Sequence, residues 1–129
     1  MSKKKILIID DNEDIIEATK IILEKESYEV FSALTGDEGY KKAQEIKPDL
    51  IILDVMMETP GRGYEVARMI RKDSNISKTP LLMVTSIYDN IGFHLEGEPG
   101  DDNWIPVDAF LSKPVEKEIL LSKIKDLLA

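Results

Sequence analysis

The stretch LIILD, residues 50–54, is an unbroken apolar run that ends in an acid. Such a run predicts a strand that is buried on both faces, as in a parallel sheet, because a half-exposed strand alternates polar and apolar residues. Two similar runs flank it along the chain, KKILIID at residues 4–10 and LLMVT at residues 81–85. The sequence therefore predicts a core of buried parallel strands.

Between and after these strands, apolar residues recur at intervals of three and four, which predicts amphipathic helices. The first helix is capped by Asp11 or Asn12 and ends near Lys25. The second begins at Thr35 and stops at the Lys47-Pro48 step, because a residue before proline disfavours the helical conformation. The residues at helical spacing in the four predicted helices, in chain order, are Ile15, Ala18, Thr19 and Ile22; Ala43 and Ile46; Val66, Ala67 and Ile70; and Leu120, Ile124, Leu127 and Leu128 on a buried stripe.

Further strands at Tyr28–Ala33 and Ala109–Leu111, and a last helix over Glu116–Leu128, complete the predicted elements. Strands that alternate with helices at this spacing imply right-handed crossovers, which cover both faces of a parallel sheet. The predicted fold class is α/β, a flavodoxin-like doubly wound sheet of five strands in the order 2-1-3-4-5. Glycines and prolines in the stretch 86–107 make an irregular fourth helix the expectation there.

Composition narrows the possible functions. The chain has 129 residues, so we expect a single domain over residues 1–129 without a separate output module. Its net charge of −8 would repel nucleic acid and an anionic membrane, so we expect neither as a direct partner. It has no cysteine and one histidine, which excludes disulfides, thiolate zinc sites and thiol catalysis and weakens a Ser-His-Asp interpretation. No apolar segment resembles a signal peptide or a membrane span, so a cytoplasmic protein is expected.

Polar residues follow the predicted strands where those strands end. In an open α/β sheet the carboxyl ends of the strands meet in one crevice, so we expect Asp10, Asp11, Asp54, Thr85 and Lys113 to lie together. Carboxylates that close repel one another unless a cation sits among them. Oxygen-only ligands of this kind suit Mg²⁺, which also accepts a phosphoryl oxygen as a ligand.

The same residues disfavour a flavin or dinucleotide site, since acids after the first strand would repel phosphate where such sites have a glycine-rich loop. With no histidine available to activate a serine, the carboxylate of Asp54 is itself the candidate nucleophile. Its target would be a phosphoryl group, with Mg²⁺ and Lys113 neutralising the transferring oxygens and Thr85 donating a hydrogen bond to the attached group.

Four segments, ILIIDDNED, PDLIILDVMM, LLMVTS and AFLSKPV, follow one another across essentially the whole chain. Together, in this order and at these separations, they resemble the receiver domain of two-component response regulators of the chemotaxis type. The resemblance implies a phosphoacceptor switch of a phosphorelay. In such a switch Asp54 takes phosphate from a phosphohistidine on a sensor kinase.

The resemblance also implies roles for individual residues. Mg²⁺ would be bound by Asp10, Asp11, Asp54 and the backbone carbonyl of Met56, and it would be the one cofactor. Lys113 would pair with the phosphoryl group, and the peptide bond before Pro114 would be cis. Thr85 and Phe110 match the switch pair, in which a hydroxyl moves toward the phosphate and an aromatic ring follows inward.

The implied partners are a sensor histidine kinase or a phosphotransfer protein, and an unknown downstream protein that receives the signal. The chain is expected to be a monomer or a weak dimer. It would catalyse only its own phosphorylation and dephosphorylation, and so would not be a turnover enzyme.

The sequence departs from the family pattern at two places. After the acceptor it reads DVMMETPGRGYE, so that Pro60 is displaced and one residue is extra. The other departure is the stretch Ser86–Val107, where a regular fourth helix is usual.

Two alternatives belong to other functional classes. A phosphorylation-independent interaction module with the receiver fold would bind its partner whether or not Asp54 carries a carboxylate. A haloacid-dehalogenase-like phosphatase also uses an aspartate nucleophile, but its D-x-D motif is missing from Asp10-Asp11-Asn12.

Overall fold

The computed structural model describes residues 3–55, 62–85 and 107–129, and for Thr85 it describes the backbone alone. The described strands form one parallel sheet in the order β2-β1-β3-β4-β5, which confirms the predicted fold class and topology. In chain order the elements are β1 Lys5–Ile9, α1 Glu13–Lys25, β2 Glu29–Ala33, α2 Gly36–Ile46, β3 Leu50–Asp54, α3 Arg62–Lys72, β4 Leu81–Thr85, β5 Ala109–Ser112 and α4 Lys117–Leu128.

The apolar runs form the centre of the sheet because both of their faces are covered. All five residues of β3 are buried. Alternate residues contribute to opposite sides, so that Ile51 and Leu53 pack with Val66, under α2 and α3. Leu50 and Ile52 pack with Leu120, under α1 and α4. The sheet is therefore a layer between two apolar clusters, and its carboxyl edge carries the polar residues.

Local signals set where the helices begin and end. Asn12 is the cap of α1, and its side chain accepts hydrogen bonds from the backbone N–H groups of Asp14 and Ile15. The Thr35 hydroxyl caps α2 by accepting from the N–H of Glu38 at 3.1 Å. That helix ends where Lys47 takes a left-handed conformation, with φ of 47°, before Pro48. These boundaries agree with the predicted ones to within one residue.

The apolar stripe predicted for α1 does not pack as a core stripe should. The buried residues of α1 are Ile16 and Leu23, whereas Ile15 is 36% exposed and Ala18 is also exposed. The stripe lines an open space of about 490 Å³ that faces Pro114 and Val115. We call this space the apolar hollow. The stripe predicted for the last helix faces the core more fully. Leu120 and Ile124 are buried, and Leu127 and Leu128 are partly buried.

An ion pair secures the edge strand β5. The guanidinium of Arg71, in the last turn of α3, donates to the carboxylate of Asp108 at 2.7 Å and to the carbonyl oxygens of Ser77 and Thr79. The same carboxylate accepts from the backbone N–H of Leu81 at 2.8 Å. Residue 108 directly precedes β5, so these contacts fix the register of the strand that leads to Lys113.

Among the described helices, each is too short or too polar to cross a bilayer. The expected irregularity of the stretch 86–107 falls, apart from Val107, outside the described residues. The displaced Pro60 also lies outside them.

Candidate functional site

The site forms at the carboxyl edge of the sheet, where β1 and β3 are neighbours. Asp54 is the last residue of β3, and Asp10 directly follows β1, with its backbone N–H still bonded to the carbonyl of Ala33 at 3.1 Å. Lys113 follows β5, whose last residue pairs with Thr85. The parallel topology therefore brings together residues that are far apart in sequence, as predicted.

Burial distinguishes this site from ordinary surface acids. Within the described ranges, the buried charged side chains are those of Asp10 and Asp54, each 4% exposed. The ammonium of Lys113 donates to Asp54 Oδ1 at 3.0 Å and lies 4.0 Å from Asp10 Oδ2. One cation thus faces two buried carboxylates, and a buried charge of this kind is retained only where it is paired or binds a metal.

Asp10, Asp11 and Asp54 each place one carboxylate oxygen within 4.8 Å of the others. The donor set consists only of carboxylate oxygens, which hard divalent cations prefer. Lys113 compensates one of the three negative charges, so the cluster has an excess of negative charge that a divalent cation would balance. The chemistry of the residues present therefore fits the predicted Mg²⁺.

The pKa of Asp10 is raised, first by burial of its carboxyl group and then by the neighbouring negative charges. Burial raises the pKa of Asp10 to about 6, and the charges of Asp54 and Asp11 act in the same direction. The backbone N–H of Asn12, which donates to Asp10 Oδ1 at 2.9 Å, and the Lys113 ammonium lower the pKa but do not offset the burial. The folded chain therefore holds a proton on Asp10 more tightly than the unfolded chain does.

In the metal-free protein, the Asp10 carboxyl is expected to make a contribution to stability that is lost as the pH rises from about 4 to about 7. The Asp10 pKa is about 6 in the folded chain and about 3.9 in the unfolded chain. The cost of the buried charge is thus absent below the lower pKa and fully present above the higher one. Asp10→Asn keeps the acceptor for Asn12 and should raise the free energy of unfolding by roughly 1–3 kcal/mol near neutral pH.

Urea unfolding in EDTA measures this difference. The gain from Asp10→Asn should disappear near about pH 4, where the wild-type carboxyl is protonated. Glu17→Gln, at an exposed position of α1, removes the same charge and should change stability little at either pH. An equal gain for Asp10→Asn at both pH values would show that its charge is not the cause.

The other predicted site residues have different outcomes. The Lys113-Pro114 peptide bond is cis, as the resemblance implies. Phe110 lies in β5 opposite Met83 and packs, half-buried, against the cluster under α2 and α3. Thr85 ends β4 at the expected position, but its side chain lies outside the described residues, as does the whole of Met56.

The apolar hollow opens directly beside this site. Its walls include Ile15 and Ile22 from α1 and Val115 from the segment before α4, and Asp54 and Lys113 lie at its polar end. A partner that reaches the acceptor along this side therefore meets apolar side chains first.

Gly63 is a site residue that the sequence analysis missed. It lies in the first turn of α3, is buried, and donates its backbone N–H to the carbonyl of Val55 at 3.1 Å. A glycine inside a helical pattern costs stability relative to alanine, so its presence signals a close approach of backbone. The sequence could have indicated a close approach at Gly63, but not that the backbone it meets is that of Asp54 and Val55.

Comparison with known proteins agrees with this geometry. A family model for the response regulator receiver domain matches residues 6–125. Protein PilH of Pseudomonas aeruginosa is 31% identical over 129 residues, which cover 97% of this chain and 98% of that protein. The solved structure of chemotaxis protein CheY4 of Vibrio cholerae has a TM-score of 0.80 at 30% identity, with 98% of this chain and 100% of that chain covered.

Longer proteins also match. The alkaline phosphatase synthesis transcriptional regulatory protein PhoP of Bacillus subtilis is 34% identical over 125 residues, which cover 97% of this chain but 48% of that protein. The chain spans about half the length of the transcriptional regulators that it matches. The family model covers most of the residues, and PilH is matched from end to end. The five-stranded parallel sheet, with its acids at the carboxyl edge, agrees with both findings. The chain belongs to the response regulator receiver domain family of two-component signalling.

Proposed function

We propose that this chain is a phosphorylation-controlled switch in which Asp54 accepts the phosphoryl group. The observation that carries the proposal is the buried Asp54 carboxylate, 3.0 Å from the Lys113 ammonium and beside the carboxylates of Asp10 and Asp11. A carboxylate at this position is both a nucleophile and part of a cation site.

Three carboxylates, those of Asp10, Asp11 and Asp54, would hold Mg²⁺. When bound, it would supply positive charge to the oxygens of the transferring phosphoryl group. In the transfer itself, an Asp54 oxygen forms a bond to phosphorus while the bond from phosphorus to the donor's imidazole nitrogen breaks. The imidazole leaves with the electron pair of that bond, and Lys113 keeps its proton and neutralises the phosphoryl oxygens.

The phosphorylated acceptor would then bias a two-state element that includes Thr85 and Phe110. Such a chain changes its own covalent state and signals through a downstream protein, so it is not a turnover enzyme. We place it in the cytoplasm, where kinases and phosphotransfer proteins have access to it.

Incubation with acetyl phosphate and Mg²⁺, followed by intact mass measurement, tests the proposal. We expect one phosphoryl group per chain, absent when EDTA is present. Borohydride reduces an aspartyl phosphate to homoserine, so peptide mapping should then find homoserine at position 54. No adduct in a chain that binds Mg²⁺ would favour the phosphorylation-independent interaction module.

The apolar hollow is the docking surface that we assign to the phosphohistidine-bearing donor protein. The hollow runs from the exposed face of α1 to Asp54, so a donor that approaches along this side lies against it when its imidazole reaches the acceptor. Acetyl phosphate is small enough to reach Asp54 without that contact. The two donors therefore depend on the hollow to different extents.

Ile15→Asn is expected to slow phosphotransfer from the protein donor by about tenfold, because it removes an apolar contact from the docking surface. Acetyl phosphate should phosphorylate this variant at the wild-type rate. Profiling the autophosphorylated histidine kinases of the source organism identifies the donor, and rapid-quench transfer then gives the rates. Ile21→Asn is the matched control, since Ile21 is 50% exposed on the same helix and does not line the hollow. Equal slowing of both variants would contradict the assignment.

A further inference from the structure

At Gly63, the backbone in the first turn of α3 packs closely against the backbone of the acceptor residue, Asp54. A Cβ added at this position would lie 2.2 Å from the backbone oxygen of Asp54 and 2.8 Å from the Cα of Val55. An ordinary contact begins at about 3.4 Å, so a methyl group would require the two segments to separate by roughly 1 Å. Both neighbours are backbone atoms, which cannot rotate away as a side chain can.

The other described glycines with close neighbours differ in this respect. A Cβ at Gly39 would meet the side chain of Ile9, with its nearest atom at 2.5 Å, and one at Gly36 would meet side-chain atoms of Arg62 and Val66. Repacking of a side chain can relieve such contacts in part. Of these three positions, Gly63 is the one where added volume acts on the acceptor's own peptide group.

The strand end has little room to move without changing the site. Asp54 lies in the central strand, where it pairs with Val84 of β4, and its carboxylate meets Lys113 at 3.0 Å. Its oxygens also lie within 4.8 Å of Asp10 and Asp11 oxygens. A shift of roughly 1 Å at a reacting group can cost about a hundredfold in rate. The distance between α3 and β3 is therefore part of the geometry of the site.

We infer that Gly63 is a positioning residue for the acceptor, which acts by allowing the backbone of α3 to seat the Asp54 peptide at its working distance from Lys113 and the metal-binding carboxylates. The inference rests on the proposed role of Asp54. It adds a residue outside the predicted acceptor, metal and switch set.

Gly63→Ala, with Gly39→Ala as its matched control, tests the inference. We expect Gly63→Ala to lower the rate of phosphorylation by acetyl phosphate and the affinity for Mg²⁺ by about 10- to 100-fold. Gly39→Ala should change both by less than about twofold, since its cost falls on core packing. All chains are compared in trimethylamine N-oxide, which favours the folded state, with the folded fraction checked by circular dichroism.

The carbon NMR shift of the Asp54 carboxyl in the metal-free protein provides a readout that does not depend on phosphorylation. It should move in Gly63→Ala and stay at the wild-type value in Gly39→Ala. If wild-type chain takes up no phosphoryl group, the proposed function fails, while this shift still reports whether Gly63 positions the carboxylate. Equal losses in both variants, a wild-type shift in Gly63→Ala, or a Gly63→Ala chain that remains unfolded in the osmolyte would overturn the inference.

Discussion

Asp54→Asn is expected to abolish phosphorylation, which is the largest effect that this structure predicts. An amide is a far poorer nucleophile than a carboxylate, so the rate with acetyl phosphate should fall by at least about a thousandfold. The amide has the shape of the carboxylate and retains an oxygen toward Lys113, so the fold should be preserved. Intact mass measured over a time course, with and without Mg²⁺, gives the comparison.

Asp49→Asn is the control for this experiment. Asp49 precedes the same strand and accepts a hydrogen bond from the backbone N–H of Lys5 at 2.7 Å, but it lies at the opposite edge of the sheet. Its substitution should leave phosphorylation unchanged. If Asp54→Asn still took up a phosphoryl group, the acceptor would have to be another acid. If the wild-type chain and Asp54→Asn bind a partner equally well, that result would support the interaction-module alternative.

The sequence was sufficient to predict the sheet because its three central strands, β1, β3 and β4, are buried on both faces. Apolar runs such as the one that ends at Asp54 have few alternatives in a chain of this size, and the parallel crossover rule then places every strand end at one edge. The acids and Lys113 were predicted to meet because each lies at, or just beyond, the carboxyl end of a strand. Their meeting depends on topology alone, and no side-chain packing had to be known.

Features that depend on packing between elements could not be predicted in the same way. Helical spacing identified α1 correctly, yet Ile15 and Ala18 line a hollow while Ile16 and Leu23 are buried. Periodicity shows that a stripe exists, but how the helix is rotated against the sheet decides what that stripe faces. Gly63 was missed for a related reason, since its partner is a backbone oxygen on another element.

The protonation of the site also depended on the three-dimensional structure. Sequence reasoning expected that crowded acids would repel, but it could not say which of them would bear the cost. Burial separates Asp10, which is enclosed, from Asp11, which is next to it in the chain and exposed. Asp54 is as buried as Asp10, but the Lys113 ammonium lies nearer to it, at 3.0 Å against 4.0 Å. The same crowding makes the one cation at the site, among the residues described, important for both chemistry and metal binding.

Lys113→Ala is expected to lower the rate of phosphorylation by about 10²- to 10³-fold, the usual loss when one preorganised donor to a transition-state oxygen is removed. The affinity for Mg²⁺ should stay the same or rise, because the ammonium competes with the metal for Asp54 and Asp10 at 3.0 and 4.0 Å. Stopped-flow or mass-based rates and calorimetric titration measure the two quantities on the same preparation.

The opposite directions of these changes separate a chemical role for Lys113 from a structural one. If the ammonium only held the site together, its loss would disturb the carboxylates, and rate and affinity would fall in parallel. If it acts on the phosphoryl oxygens, the rate falls alone. Lys117→Ala, at an exposed position in the first turn of α4, removes the same charge nearby and should alter neither quantity by more than about twofold. A parallel fall in Lys113→Ala would therefore refute the role proposed for this lysine and leave Asp54 with its metal as the whole of the chemistry.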